Sequence, residues 1–490
     1  MAYKDLREFI ALLESKGLLK RTKLEVSTNL EVAEVMDRLV QNKGPAILFE
    51  NVADSAVPIL GNLYGTRERV ILGLGVSEEE LKKIGEFIAF LQRPRPPEGL
   101  WDAVKKAPEM ARMLTLGPKT VRSAPCQEVV LTGSEASLDE IPIIKCWPGD
   151  AAPLITWPLV ITKPPAEDGE KDGAFNVGVY RMQKLDSRRL IMRWLEQRGG
   201  AAHHRQWIEA GKSMPVAIAI GCEPATTIAA VTPVPEDVSE FLFAGVLRKK
   251  AIEVVDCKTI PLKVPATAEI ILEGEIRLDD TSEEGPYGDH TGYYNNKEPF
   301  PVFHITAITH RKNPIYQTTI TGRPPKEDAV IGTVLNDLYL PSLKLQFPEI
   351  VDFTLPMEAV SYRVAVVSIK KEYPGHARRI MMGLWGVLKQ FMYVKYIIVV
   401  DADIDIRKWE DVIWALSTRV DPARDSVIIK DTPIDYLDFS SPKSGLGSKL
   451  GIDATNKTSP EVEREWGKKM EMDEDIIKLV TKKWKDYGLE

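Results

Sequence analysis

Cysteine is scarce in this 490-residue chain. There are four, Cys126, Cys146, Cys222 and Cys257, and no two stand in CxxC spacing. That excludes a disulfide framework or a zinc ribbon, and the thiols read as reduced and mostly buried. Long uncharged apolar runs are missing as well, so nothing approaches the about 20 residues a spanning helix needs. Met1 to Leu19 carries charges throughout its apolar pattern and does not read as a signal peptide. The chain lacks a positive balance: its net charge of -7 argues against general nucleic-acid binding. It has no GxGxxG after a strand and no Walker loop, so a dinucleotide fold or an NTPase is unsupported. Internal repeats and low-complexity segments are absent. A cytoplasmic globular protein is expected, too long for one ordinary core and so built of two or three domains.

Its elements follow from periodicity. Asp5 to Ser15 carries Leu6, Phe9, Ile10 and Leu13 at helical spacing, with Asp5 and Glu8 placed as a capping box and Gly17 as the stop. Leu30 to Val40 is a second amphipathic helix with Asn29 as its expected cap. Ala46 to Glu50 is a buried strand, and Glu78 to Leu91 a helix ended by the proline-rich run Arg93 to Pro97. From Gln127 short strand-like runs take over: Val129–Leu131, Leu159–Thr162, Asn176–Arg181, Arg189–Trp194, Val216–Gly221 and Ala268–Glu273. After Gly322 the α/β alternation returns, with strands at Val364–Ile369 and Tyr396–Val400 and helices at Gly375–Val394 and Trp409–Leu416. The fold class expected is α/β, an α+β multidomain chain with boundaries at 1–120, 121–322, 323–458 and a charged helical tail at 459–490. Trp466, Met470, Ile477, Val480 and Trp484 are the apolar anchors of that tail.

One stretch concentrates chemistry. Glu284-Gly285-Pro286-Tyr287-Gly288-Asp289-His290-Thr291-Gly292-Tyr293-Tyr294 crowds two carboxylates, an imidazole, glycines and a proline into a loop. Two carboxylates facing one cavity should differ in pKa, one raised by burial and repulsion, the other held ionised by a cation. Tyr287, Tyr293, Tyr294 and Phe391 would line a ring-shaped pocket or simply pack. In the run Asn176 to Arg181, alternation puts Asn176, Gly178 and Tyr180 on one face. Arg193-Trp194-Leu195 and Arg198-Gly199-Gly200 read as a strand end and a glycine turn, where backbone N–H groups and guanidinium forks can approach a phosphate. His203 and His204 read as exposed loop residues. Asp401-Ala402-Asp403-Ile404-Asp405 invites a calcium-loop reading, but Ile406 stands where glycine is required, so it reads as a strand running into a helix. Gly445 to Lys449 reads as a flexible loop whose lysine is solvated, with Lys389 a second weak anion candidate.

Taken together, these motifs resemble the UbiD decarboxylases, from Asp5 to the C-terminal tail, most closely the 4-hydroxy-3-polyprenylbenzoate branch of ubiquinone synthesis. The resemblance implies a central flavin-reductase-like split β-barrel and a C-terminal α/β oligomerisation domain. It also implies prenylated FMN, supplied by a separate flavin prenyltransferase, as the cofactor that removes the obstacle of an unstabilised aryl carbanion. By the same resemblance Val179, Tyr180, Arg181, Arg193, Trp194, Leu195, Arg198 and Gly199 contact the flavin. Asn176 and Glu240 would hold Mn²⁺ or Mg²⁺ beside its phosphate, with K⁺ as a further ion. Arg181, Glu284 and Asp289 would be catalytic: Arg181 pairs with Glu284, and Asp289, its pKa raised by an apolar pocket, donates the proton that replaces CO₂. Asp rather than Glu at 289 agrees with the hydroxybenzoate branch. The partners implied are an aromatic carboxylic acid and CO₂, a membrane surface if the substrate is prenylated, and further copies of the chain, dimers building towards a hexamer. The alternatives are an aromatic carboxylase, a decarboxylase of another arene acid such as a naphthoate, or a non-catalytic flavin-binding paralogue.

Overall fold

The computed structural model describes residues 3–92, 115–165, 175–196, 198–232, 234, 239–360, 362–387 and 393–489. Its first helix is Leu6–Ser15. Asp5 caps it, accepting from the Glu8 N–H, and Gly17 follows with φ +70°. Leu6, Phe9, Ile10 and Leu13 are buried on one face, as their spacing requires. The second helix, Glu31–Gln41, differs from expectation at its start. Leu30 occupies the cap position with φ 72°, no side chain caps the helix, and Asn29 pairs instead with Lys145.

Leu19–Thr22, Ala46–Phe49 and Ile59–Gly61 form a small sheet whose fourth strand, Tyr316–Gln317, comes from far along the chain. Arg7 and Arg311 meet the buried Glu269, and Arg311 also meets Asp5, fastening the first helix to the central strands.

The central sheet has nine strands, every adjacent pair antiparallel, and curls as a half-barrel. Its backbone is the long hairpin Ile270–Glu284 and Glu298–His310. The first of these strands continues well past Glu273, where the apolar run ends. It persists through pairing: after an irregularity between Ile276 and Thr281, Thr281 to Glu284 pair with Pro301 to Glu298. Glu284 is therefore the last residue of a strand, paired with Glu298, and not part of the loop.

The C-terminal sheet runs in the order Ile350–Thr354, Val364–Ile369, Tyr396–Asp401, Leu446–Ala454, Ser426–Pro433. Gly445 to Lys449 thus enters a strand, and Lys449 is buried with Nζ 3.1 Å from the Val394 carbonyl oxygen. Burial pushes its ammonium down to about 8. Asp401 and Asp403 are taken up by Arg419 at 2.7 and 2.9 Å, as a strand-to-helix connection and not an ion loop. Glu327–Gln346, a 20-residue helix, links the two halves: Val330, Ile331, Val334 and Leu338 join the core of the first helix and central sheet, while Leu343 joins the C-terminal core. Lys389, Phe391 and the 93–97 run lie outside the described residues.

No described helix is long and apolar enough to cross a membrane.

Candidate active site

The strand Ile270–Glu284 delivers Glu284 to the end of the curled sheet, fully buried. The loop that follows is pinned at several points. The Tyr287 N–H donates to Asn295 Oδ1 and the Gly288 N–H to Asp150 Oδ1, both at 2.9 Å, while Thr321 Oγ1 donates to the Gly288 carbonyl at 2.8 Å. Gly292 takes φ +83°, which only glycine adopts without strain, and turns the chain back beneath Arg323. Asp289 is held in this turn at 7% exposure.

Arg181 joins the two carboxylates. Its Nε donates to Glu284 Oε1 at 2.8 Å and its Nη2 to Glu284 Oε2 at 3.2 Å, and Nη1 pairs with Asp289 Oδ2. Arg193 adds a second guanidinium, Nη1 donating to Glu284 Oε2 at 2.7 Å. Arg181 lies over the Tyr287 ring, 4.4 Å from its centroid, and that fully buried tyrosine supports the arginine. Tyr293 and Tyr294 are exposed.

The electrostatics depart from expectation at Asp289. Burial pushes the Glu284 carboxyl up, but the Arg181 and Arg193 charges outweigh it and hold it below the usual range. Burial acts on Asp289 in the same direction, and Arg181 and His290 overcome it more strongly still, holding that carboxyl far below its ordinary value. Both carboxylates are ionised, because one arginine serves both. Burial without a cation would have raised one of them.

The charge chain does not stop at Asp289. His290 Nδ1 lies 2.8 Å from Asp289 Oδ1, and its Nε2 lies 3.1 Å from the Tyr362 hydroxyl. Tyr362 donates to Asp435 Oδ2 at 2.7 Å, and Arg363 donates to the same oxygen at 3.1 Å. These three residues belong to the C-terminal segment. Sequence reasoning gave none of the four a role: the His290 imidazole was noted in the loop without one, and nothing local marks Tyr362 or Asp435.

A second cluster lies along Asn176–Val179. Asn176 Nδ2 donates to Thr162 Oγ1 and to the Tyr180 hydroxyl, each at 3.4 Å, so Asn176 and Tyr180 do share a face. Arg198 is the cap residue of the helix Gly199–Glu209, so the glycines form a helical first turn where a simple turn was expected. A Cβ at Gly199 would stand 2.1 Å from Asn176 Oδ1, and only glycine lets the helix start there. A helix start presents unsatisfied N–H groups to an anion. Arg198 has no ion pair among the described residues. Tyr180 and Trp194 meet edge to face at 6.0 Å beneath this turn, as packing under the site. Arg193 is committed to Glu284, and Leu195 accepts from the Arg198 N–H at 2.9 Å. His203 and His204 sit within the helix, half-buried, and His203 Nδ1 meets Thr162 Oγ1 at 2.9 Å.

Glu240 comes to Asn176 through the backbone: its Oε2 accepts from the Val177 N–H at 2.9 Å. No described cation pairs with it, and burial pushes its carboxyl up to about 7. A half-buried carboxylate with no described counter-charge, held on the backbone next to Asn176, suits a hard divalent cation. No cluster of three or more His, Cys, Asp or Glu arranged for a metal occurs among the described residues.

Comparison with known proteins agrees with this arrangement. Residues 10–88, 119–324 and 329–454 match the N-terminal, Rift-related and C-terminal domains of 3-octaprenyl-4-hydroxybenzoate carboxy-lyase. The UbiD-class enzyme HmfF from Pelotomaculum thermopropionicum, solved in complex with FMN, is 30% identical over 97% of this chain and 99% of its own, with TM-score 0.81. This chain belongs to the UbiD family. The Sedimentibacter hydroxybenzoicus vanillic acid decarboxylase in closed form is 29% identical, covering 98% of this chain and 99% of its own at TM-score 0.85. An evolved dimeric HmfF, solved with prenylated FMN, is 30% identical over 94% and 97% at TM-score 0.77. The UbiD relationship makes this chain a carboxy-lyase of the UbiD class, and the curled antiparallel sheet is the half-barrel of that class.

Proposed function

We propose that this enzyme removes CO₂ from a 4-hydroxybenzoate-type acid, with 3-polyprenyl-4-hydroxybenzoate of quinone synthesis as the first candidate. The observation that carries the reading is the Arg181 guanidinium shared between Glu284 and Asp289 at the end of the half-barrel. The domain descriptions it matches are those of an octaprenyl-hydroxybenzoate carboxy-lyase, and one similar structure is a vanillic acid decarboxylase.

Prenylated FMN, when bound, would supply an electron sink for the ring carbon that loses CO₂. The chain's own residues do the rest. Arg198 and the helix start at Gly199 would hold the phosphate, with Val179 and Leu195 beside the flavin. Asn176 and Glu240 would hold Mn²⁺ or Mg²⁺ against that phosphate, with K⁺ as a further ion. Arg181 orients the acid and, with Glu284, keeps the site charged and dry. Asp289 delivers the proton to the carbon that has lost CO₂. A para-hydroxyl on the substrate helps by letting the ring accept charge.

A flavin prenyltransferase would supply the cofactor, and a prenylated substrate would be met at a membrane surface by an otherwise cytoplasmic enzyme. In the single chain Met470, Ile477 and Trp484 are exposed, while Trp466 is tied to Asn456 at 2.8 Å. An apolar row of this kind calls for cover, and a dimer, with hexamers built from it, would provide that. The test of function is a screen of aromatic acids with cofactor-loaded enzyme in both directions, with and without bicarbonate. Turnover of hydroxybenzoates in the decarboxylating direction is expected. Activity confined to carboxylation, to naphthoates or to no acid at all would overturn the reading.

A further inference from the structure

Asp289 is expected to give a proton, yet its carboxylate is ionised in the resting site. The missing proton is found on its neighbour. His290 Nδ1 faces Asp289 Oδ1 at 2.8 Å and Nε2 faces the Tyr362 hydroxyl at 3.1 Å. The ionised Asp289 has no hydrogen to offer, and Tyr362 directs its own to Asp435 Oδ2 at 2.7 Å. Both ring nitrogens therefore face acceptors, and only the imidazolium carries a hydrogen for each.

We propose that His290 is the proton store from which Asp289 is reloaded at each turnover, a positioning residue that acts only through Asp289 and is itself held by Tyr362 and Asp435. The inference rests on the reading of Asp289 as the proton-delivering group. Decarboxylation of a carboxylate consumes one proton: the C–C bond breaks, CO₂ leaves, and the electron pair left behind takes a hydrogen ion. In the sequence of transfers, the His290 Nδ1–H bond breaks as an O–H bond forms on Asp289 Oδ1. That proton then makes the new C–H bond. His290, now neutral, keeps its hydrogen on Nε2 towards Tyr362 and regains the lost one from solvent at Nδ1 once product has left. Nothing is oxidised or reduced in the protein.

The groups facing the imidazole agree with this role. Asp289 lies on its own loop, with Arg181 beyond it. From the C-terminal segment come Tyr362 and Asp435, the latter 3.7 Å from Nε2 and paired with Arg363. Asp328, in the first turn of the long helix, is within electrostatic reach. Burial alone would push the imidazole down, but the hydrogen bond to Asp289 and the nearby Asp435 carboxylate outweigh it and lift it to about 9. At neutral pH the store is full.

The test compares wild type, His290→Gln and Asp289→Asn. Glutamine can still donate to Asp289 but cannot release a proton to it, and flavin absorbance equal to wild type shows that each variant folds and loads. Imidazole NMR on the cofactor-free protein, which has six histidines, gives a readout independent of activity. One signal should stay protonated well above neutral pH and be missing from His290→Gln; a His290 that is neutral at pH 7 would overturn the proposal. Turnover and deuterium exchange into the product should fall in wild type as pH rises through about 9. In His290→Gln both should drop roughly tenfold or more at neutral pH, with the alkaline limb moved towards acid. An unchanged rate and limb in His290→Gln, with Asp289→Asn inactive, would overturn this inference alone. Wild-type exchange in Asp289→Asn would overturn the reading of Asp289 along with it.

Discussion

Arg181 and Glu284 share two hydrogen bonds, at 2.8 and 3.2 Å, and the carboxylate in that pair is completely buried. The same carboxylate also receives Arg193 at 2.7 Å. Two guanidinium groups thus converge on one buried anion. Removing one partner of a buried pair typically costs about 3–5 kcal/mol, because the remaining charge is left uncompensated. Glu284→Gln should lower the urea midpoint of the cofactor-free protein by an amount in that range. Arg193→Met, which removes one of the competing cations with its carboxylate still served by Arg181, should cost less. Equal stability of Glu284→Gln and wild type would contradict the arrangement.

Asp289→Asn keeps size and hydrogen bonding but has no acid proton. Turnover should fall by on the order of 10² to 10⁴, the usual worth of a positioned acid. Bound flavin, read from the visible spectrum, should remain at the wild-type level, because no flavin contact is assigned to Asp289. Arg181→Ala should instead lower flavin occupancy as well as turnover.

Asp435 makes stability depend on pH in a defined direction. Burial opposes its ionisation, but His290 and Tyr362 outweigh that and hold its carboxyl at about 2. A folded value below the unfolded one of about 4 means that its contribution is complete above about pH 4 and is lost as pH falls towards about 2. His290 behaves oppositely: with a folded value of about 9, its contribution is complete below the unfolded value and lost as pH rises through about 9. The two are one interaction seen from either end. Asp435→Asn should cost about 2 kcal/mol in the plateau between those limits, and the gap from wild type should close in acid and narrow in alkali. A gap of constant size across the whole range, in urea titrations, would contradict it.

Glu240→Ala should purify folded but poor in both metal and flavin. Elemental analysis and flavin absorbance measure the two together. Full occupancy of metal and flavin in that variant would remove Glu240 from the cation site.

Trp484→Glu places a charge in the exposed apolar row of the tail. Light scattering of wild type at micromolar concentration should give a dimer or a multiple of it, and the variant should give a smaller species. A wild-type monomer would refute the assembly.

Where a segment's own periodicity decides its structure, the sequence could be read directly. The first helix shows this: Asp5 as cap, Gly17 as stop and four apolar residues on one face all lie within thirteen positions. The same holds for Leu159–Thr162, Val364–Ile369 and Tyr396–Asp401, buried strands with apolar runs. What failed was structure imposed from a distance. The polar half of Ile270–Glu284 is a strand only because Glu298–His310 lies beside it. Lys449 looked solvated because no local signal shows that its strand lies in the C-terminal sheet beside Tyr396–Asp401. The site divides in the same way. Arg181, Glu284 and Asp289 were found as a set through the family's motifs, and they do meet. The sign of the Asp289 shift was missed because it depends on one arginine reaching two carboxylates, and on a histidine whose other face is covered by residues more than seventy positions away.

The strand Tyr316–Gln317 that completes the small N-terminal sheet bears on how the protein is made. On the ribosome, Ile59–Gly61 emerges more than two hundred and fifty residues before the strand that pairs with its free edge. Throughout that interval an apolar strand presents unpaired N–H and C=O groups, the kind of edge on which nascent chains associate wrongly. The small sheet therefore stays incomplete until the strands of the half-barrel, which lie between its two last strands in the chain, have also been made. A release at residue 120 would leave the opening segment without its last strand, and a nascent chain of that length is a natural client for a chaperone.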